Sequence, residues 1–211
     1  MMQLALMVYA GFTHAFETDH LLAVSSIVTR RDRSRQAARD GIFWGLGHSS
    51  TILVIGALLI LLKMHISEDT FRFLEAVVGI MLILLAVFRL RKFFGGGEFR
   101  MSHGHTAAAV QPSDGGHRLA YSVGLVHGLA GSGALVALVL TQMRTPLEGL
   151  IHLLVFGLGS VAGMWLAASV FSVPFSRKLL RSWWLQSALV AVSSLLCIIF
   201  GAIIVYKNLS A

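Results

Sequence analysis

Charge is what this chain has least of. Only 13% of its 211 residues are Asp, Glu, Lys or Arg, against about 25% in an ordinary soluble domain. Such a composition cannot cover a water-facing surface, which excludes a single soluble globule. Thiols are scarcer still, because Cys197 is the sole cysteine and lies in an apolar run. One thiol excludes a disulfide framework, a cysteine-based zinc site and a dithiol electron carrier. No basic residue precedes Arg30, so the N-terminus lacks the positive region of a signal peptide and reads as a retained membrane segment. A nucleotide-binding motif is missing too, so the chain is expected to hydrolyse no ATP.

What is present is apolar. Hydrophobic residues make up 56% of the sequence, and the mean hydropathy is +0.77. Six stretches, 2–28, 41–62, 72–90, 119–142, 149–173 and 184–206, are each long enough to reach about 30 Å as a helix. The expected fold is all-α: one polytopic domain of six transmembrane helices. Residues 93–118 are rich in Gly, Ser and His without periodicity and read as a flexible loop.

The net charge of +7 records membrane orientation here rather than nucleic-acid binding. One set of loops holds Arg30, Arg31, Arg33, Arg35 and Arg39, then Arg89, Arg91, Lys92, Arg100 and Arg118, then Arg177, Lys178 and Arg181. The opposite side has only Lys63, Arg72, Arg144 and Lys207. The Arg-rich loops are therefore expected to be cytoplasmic at an inner (plasma) membrane, with both termini outside. Phe93, Phe94, Trp183, Trp184 and Tyr206 fall at span ends, where aromatic belts sit.

The two halves resemble each other. GFTHAFETDHLLAV from Gly11 matches GLVHGLAGSGALVA from Gly124 at an offset of 113, pairing His14 with His127 and Leu22 with Leu135. WGLGHSS from Trp44 matches FGLGSVA from Phe156 at an offset of 112. Three spans per copy make the second copy enter from the opposite face. The arrangement expected is two inverted repeats (1–92 and 119–211) around the loop, with a site near the midplane.

The chemistry concentrates in the first span. His14, Glu17, Asp19 and His20 lie within seven residues near its middle, where each charge costs about 2.5–3.5 kcal/mol or more. Imidazole with carboxylate suits nickel, zinc, iron or copper. At about 100° per residue His14, Glu17 and His20 share a face that Asp19 leaves. Either the helix unwinds and Asp19 joins a metal, or Asp19 orients an imidazole. His48 follows Gly45 and Gly47, with Ser49 beside it, in the second span. GxxxG spacings at Gly41–Gly45 and Gly124–Gly128 allow close helix approach, bringing His48 and His127 toward His14 and His20. The second copy has Ala130, Gly131, Ser132 and Gly133 where the first has Glu17 to His20, and Ser160 in place of His48. The charged groups are thus on one half alone, and Ser49 and Ser132 are pathway candidates.

His14-Ala-Phe-Glu-Thr-Asp19-His20 resembles the H-x4-D-H signature of the nickel/cobalt transporter family, and Gly47-His48-Ser49-Ser50 resembles that family's second motif. Gly124–Leu135 is similar to the urease accessory (UreH-like) branch. The resemblance implies transition-metal transport, with His14, Asp19, His20 and His48 contacting the metal. The chain departs from longer members at Thr13 and Glu17, and lacks their extra helices. Transport of Ni2+ or Co2+ is the expected function, with no enzymatic activity, no prosthetic group and, as possible partners, cytoplasmic nickel chaperones. Two alternatives are an intramembrane metal-dependent hydrolase and a small-anion exporter. The placement of Lys and Arg in loops and at loop edges counts against the exporter. His103, His105 and His117 could capture metal loosely from the loop. Glu75 reads as an interfacial residue, His152 and Trp165 as packing residues, and Cys197 as a small buried hydrophobe.

Overall fold

The first apolar stretch is not one helix. In the computed structural model it splits into α1 (Met2–His14) and α2 (Thr18–Val28). The turn between them closes with Phe16 N–H on Thr13 O and Glu17 N–H on His14 O. Asp19 lies in the first turn of α2, where unpaired backbone N–H groups favour negative charge. The remaining helices are α3 (Ser34–Leu62), α4 (Glu68–Phe94), α5 (Gly115–Gln142), α6 (Pro146–Phe171) and α7 (Trp183–Leu209). The structure describes residues 2–28, 34–63, 67–94, 115–173 and 183–210, without the side chains of 28, 115–116, 131–138, 140–142 and 183.

Every regular element among the described residues is helical. α3, α4, α6 and most of α7 are long and apolar enough to cross a membrane. Their outer faces expose Leu61, Leu84, Leu158 and Leu195, which suits hydrocarbon and not water. The chain is a multi-pass helical membrane protein.

Helices extend beyond the hydropathic stretches. α3 begins at Ser34 rather than 41, because hydropathy marks only the bilayer-crossing part, while Arg35, Gln36, Ala37 and Ala38 still favour helix. The loop expected over 93–118 is trimmed likewise at both ends. Phe93 and Phe94 complete α4, and Gly115 opens α5. His103 and His105 lie outside the described residues. His117 is corrected from flexible loop to helix: its Nδ1 stands 2.7 Å from Oδ1 of the buried Asp40, and its ring stacks on Phe43. That pairing ties α5 to α3. Arg89, expected at a loop edge, is instead buried within α4.

α3 packs between α5 and α6, α1 lies on α6, and α4 pairs with α7. Glycines seal these seams. A Cβ on Gly124 would stand 2.1 Å from Trp44 O, and one on Gly11 would stand 2.0 Å from Phe156 O. The reverse contacts match, with Gly47 against Tyr121 O and Gly159 against Val8 O. α4 and α7 cross where Gly79 and Gly201 each face the other's carbonyl oxygen. Two apolar cores result. One gathers Ala15, Val24, Trp44, Val123 and Met164; the other gathers Met7, Ile52, Val139, Leu153 and Phe156.

Two outcomes follow from this packing. Gly124→Ala is expected to force α5 off α3 and cost about 1–3 kcal/mol, read as a lower thermal midpoint in detergent than Leu158→Ala on the outer face. Asp40→Ala should lower that midpoint more than His117→Gln, because removing the buried carboxylate strands its partners while glutamine can still hydrogen-bond. Midpoints unchanged from the unsubstituted protein in both variants of the second pair would show that the Asp40–His117 tie carries no stability.

Candidate metal centre

Breaking the first helix changes what its side chains can reach. His14 ends α1, His20 sits in the first turn of α2, and the turn folds their rings to 4.5 Å between centroids. His48 of α3 stands 5.3 Å from His14 and 5.1 Å from His20, while His127 of α5 stands 4.1 Å from His20. Close approach of α3 and α5, sealed by Gly124 and Gly128 against Trp44 and His48, brings the last two together. Four imidazoles from four helices thus share one spot.

Carboxylates hold three of them. Asp19 Oδ1 lies 3.1 Å from His20 Nδ1, and Oδ2 lies 2.8 Å from His127 Nε2. Glu17 Oε1 lies 2.9 Å from His14 Nδ1, with Glu17 itself exposed. A carboxylate on one ring nitrogen fixes the tautomer and leaves the other nitrogen free to ligate. These contacts orient both rings, Asp19 also belongs to one of the groups that could hold a metal, and it is helical rather than part of the unwound turn.

The nitrogens left over are the informative ones. His14 Nε2, His20 Nε2, both nitrogens of His48 and Nδ1 of His127 are buried without a hydrogen-bond partner among the described residues. A buried polar atom without a partner costs roughly 1–3 kcal/mol, a cost that a ligand held by several of these rings would offset. Two groups can offer a metal three ligand atoms within 4.8 Å of one another: His14, His20 and His48, and Asp19, His20 and His127. Neutral imidazole with one carboxylate suits a borderline dication.

The other residues that the sequence singles out lie elsewhere. Ser49 donates to Gly157 O at 3.0 Å and serves the α3–α6 seam. The side chain of Ser132 is outside the described part of α5. His117 belongs to the Asp40 tie, away from the cluster along α5. Glu75 is exposed. His152 is buried as expected, but Trp165, expected to pack, is 47% exposed and faces outward. Cys197 is buried and donates to Leu22 O at 3.3 Å.

Two aromatic residues at the centre are not evident from the sequence. Trp44 is buried with its ring 5.6 Å from His20 and 5.9 Å from His127. Phe156 stands 5.5 Å from His14. A signal for them does exist, since these two open the paired WGLGHSS and FGLGSVA segments. A third residue, Ser160, is buried with its Oγ unpartnered among the described residues.

Known proteins agree with a membrane architecture. Residues 7–203 match the family described as cytochrome C biogenesis protein transmembrane region. The chain is 33% identical over 201 residues to urease accessory protein UreH of Bacillus sp. (strain TB-90), covering 93% of this chain and 87% of that one. No solved structure matches. By these matches the chain belongs to the cytochrome C biogenesis protein transmembrane region family and is a UreH relative.

Proposed function

We propose that this protein carries a divalent transition-metal ion, Ni2+ foremost, across the inner membrane. The observation that carries the reading is the set of buried, unpartnered nitrogens of His14, His20 and His48, which share a ligand group spanning no more than 4.8 Å. The ion sheds water, and these three imidazoles replace it. Asp19 and Glu17 supply negative charge nearby, offsetting part of the cost of a dication in low dielectric. The resemblance of His14–His20 to the nickel/cobalt transporter signature supports the cargo. The name of the Bacillus relative ties that protein to urease, which favours a supply role, with cytoplasmic nickel chaperones as recipients.

The proposed topology has six crossings, α1 and α2 together forming an interrupted first one. Arg-rich loops face the cytoplasm and both termini lie outside. Inverted repeats are supported by contacts that recur at the sequence offsets. Gly11 meets Phe156 and Ser160 just as Gly124 meets Trp44 and His48. Interrupted helices meeting near the midplane are the usual setting of a transporter's substrate site.

Nickel-63 flux into proteoliposomes tests the reading. His14→Ala and His20→Ala should each lower it at least about tenfold, while Leu158→Ala retains it. Unchanged flux in both histidine variants would falsify the proposal. Protons compete with metal for the same nitrogens, so nickel affinity should fall as pH drops through the range in which these imidazoles titrate. Titration calorimetry across that range reads it directly, and affinity that rises on acidification contradicts an imidazole site.

A further inference from the structure

The two candidate ligand groups share one residue, His20. Its Nδ1 faces Asp19 and, beyond the carboxylate, His127; its Nε2 has no hydrogen-bond partner among the described residues. The ring therefore stands between two ligand sets. One is completed by His14 and His48, the other by Asp19 and His127.

The surroundings of the two sets correspond. His14 and His127 are equivalent at the offset of 113, and Phe156 and Trp44 at the offset of 112. Phe156 stands 5.5 Å from His14, and Trp44 stands 5.9 Å from His127. Each aromatic ring also belongs to a different apolar core, Phe156 with Met7 and Ile52, Trp44 with Val24 and Met164. Along α3 the order is Trp44, His48, Ile52, and along α6 it is Phe156, Ser160, Met164, so the histidines lie between the two cores. Each core is apolar, and a charged ion in apolar surroundings is costly.

We propose that His20 hands the ion between two positions, one with His14 and His48 beside Phe156, the other with Asp19 and His127 beside Trp44. The two aromatic rings close opposite exits. This rests on the carrier reading and adds its route. With the proposed orientation Phe156 bars the outer side and Trp44 the cytoplasmic side. Occupancy alternates, because two dications sharing one imidazole would repel each other. Asp19 and His20 have no counterpart in the second copy, where Ser132 and Gly133 stand. One shared ring therefore serves both symmetry-related halves of the route.

Cobalt is the probe, since its absorption spectrum and X-ray absorption edge report coordination. The full-length protein in detergent should bind one Co2+. In His127→Gln the ion is confined to the first position and shows three imidazoles. In His14→Gln it is confined to the second and shows two imidazoles with a carboxylate. Both variants should keep bound cobalt yet lose flux in proteoliposomes by at least about tenfold. In vesicles preloaded with cobalt, Phe156→Ala should speed its removal by an external impermeant chelator, and Trp44→Ala should not. His127→Asn serves should the glutamine variant not purify as a single species. Identical spectra for the His127 and His14 variants, or equal chelator effects of the two aromatic variants, overturn the two-position route and leave the carrier reading standing. Wild-type protein that binds no Co2+ and no Ni2+ overturns both.

Discussion

Everything at the centre of this molecule depends on one carboxylate touching two rings. Asp19 reaches His20 on its own helix and His127 across on α5, and so joins α2 to α5. Without it, neither ring has a reason to hold one tautomer or one rotamer, since the lone pairs that face inward are otherwise unpartnered. A carboxylate in a low-dielectric interior is costly, and it persists where its hydrogen bonds are made by groups that would themselves be stranded. The break after His14 makes this possible. On an unbroken helix Asp19 would point away from the face that His14 and His20 share.

Much of the fold is legible in the sequence, and for a simple reason. Lipid demands apolar side chains without interruption, so the four long described spans stand out as hydropathic runs. Their ends are less legible, because residues such as Arg35 to Ala38 and Gly115 to Arg118 continue a helix without being apolar. His117 is hidden for the same reason. Loop composition around it gives no hint that Asp40, far away in the chain, is its partner. Arg89 is masked by its proximity to Arg91 and Lys92, since sequence alone does not say which side of a helix end turns inward.

The candidate centre is legible as a set of residues more than as a geometry. His14, Asp19, His20 and His48 stand out because polar groups are rare in apolar spans, and His127 stands out by its alignment with His14. What spacing cannot supply is the fold of the turn at Ala15–Glu17, and hence which nitrogens face each other. Trp44 and Phe156 blend into their spans because aromatic residues in a membrane helix are ordinary. Their meaning comes only from the rings they touch.

The glycine seams limit how such a molecule can move. Where Gly124 meets Trp44 O or Gly11 meets Phe156 O, backbone lies on backbone with no side chain between. Such a contact has no rotamers to exchange, so small local adjustments are closed to it and displacement must shift whole rods together. The α3–α6 contact is sealed in the same way, with Gly41 against Met164 O and Gly45 against Val161, so α1, α6, α3 and α5 lock into one slab. Rearrangement within that slab has to carry whole helices with it and is not open to the flicker of single side chains.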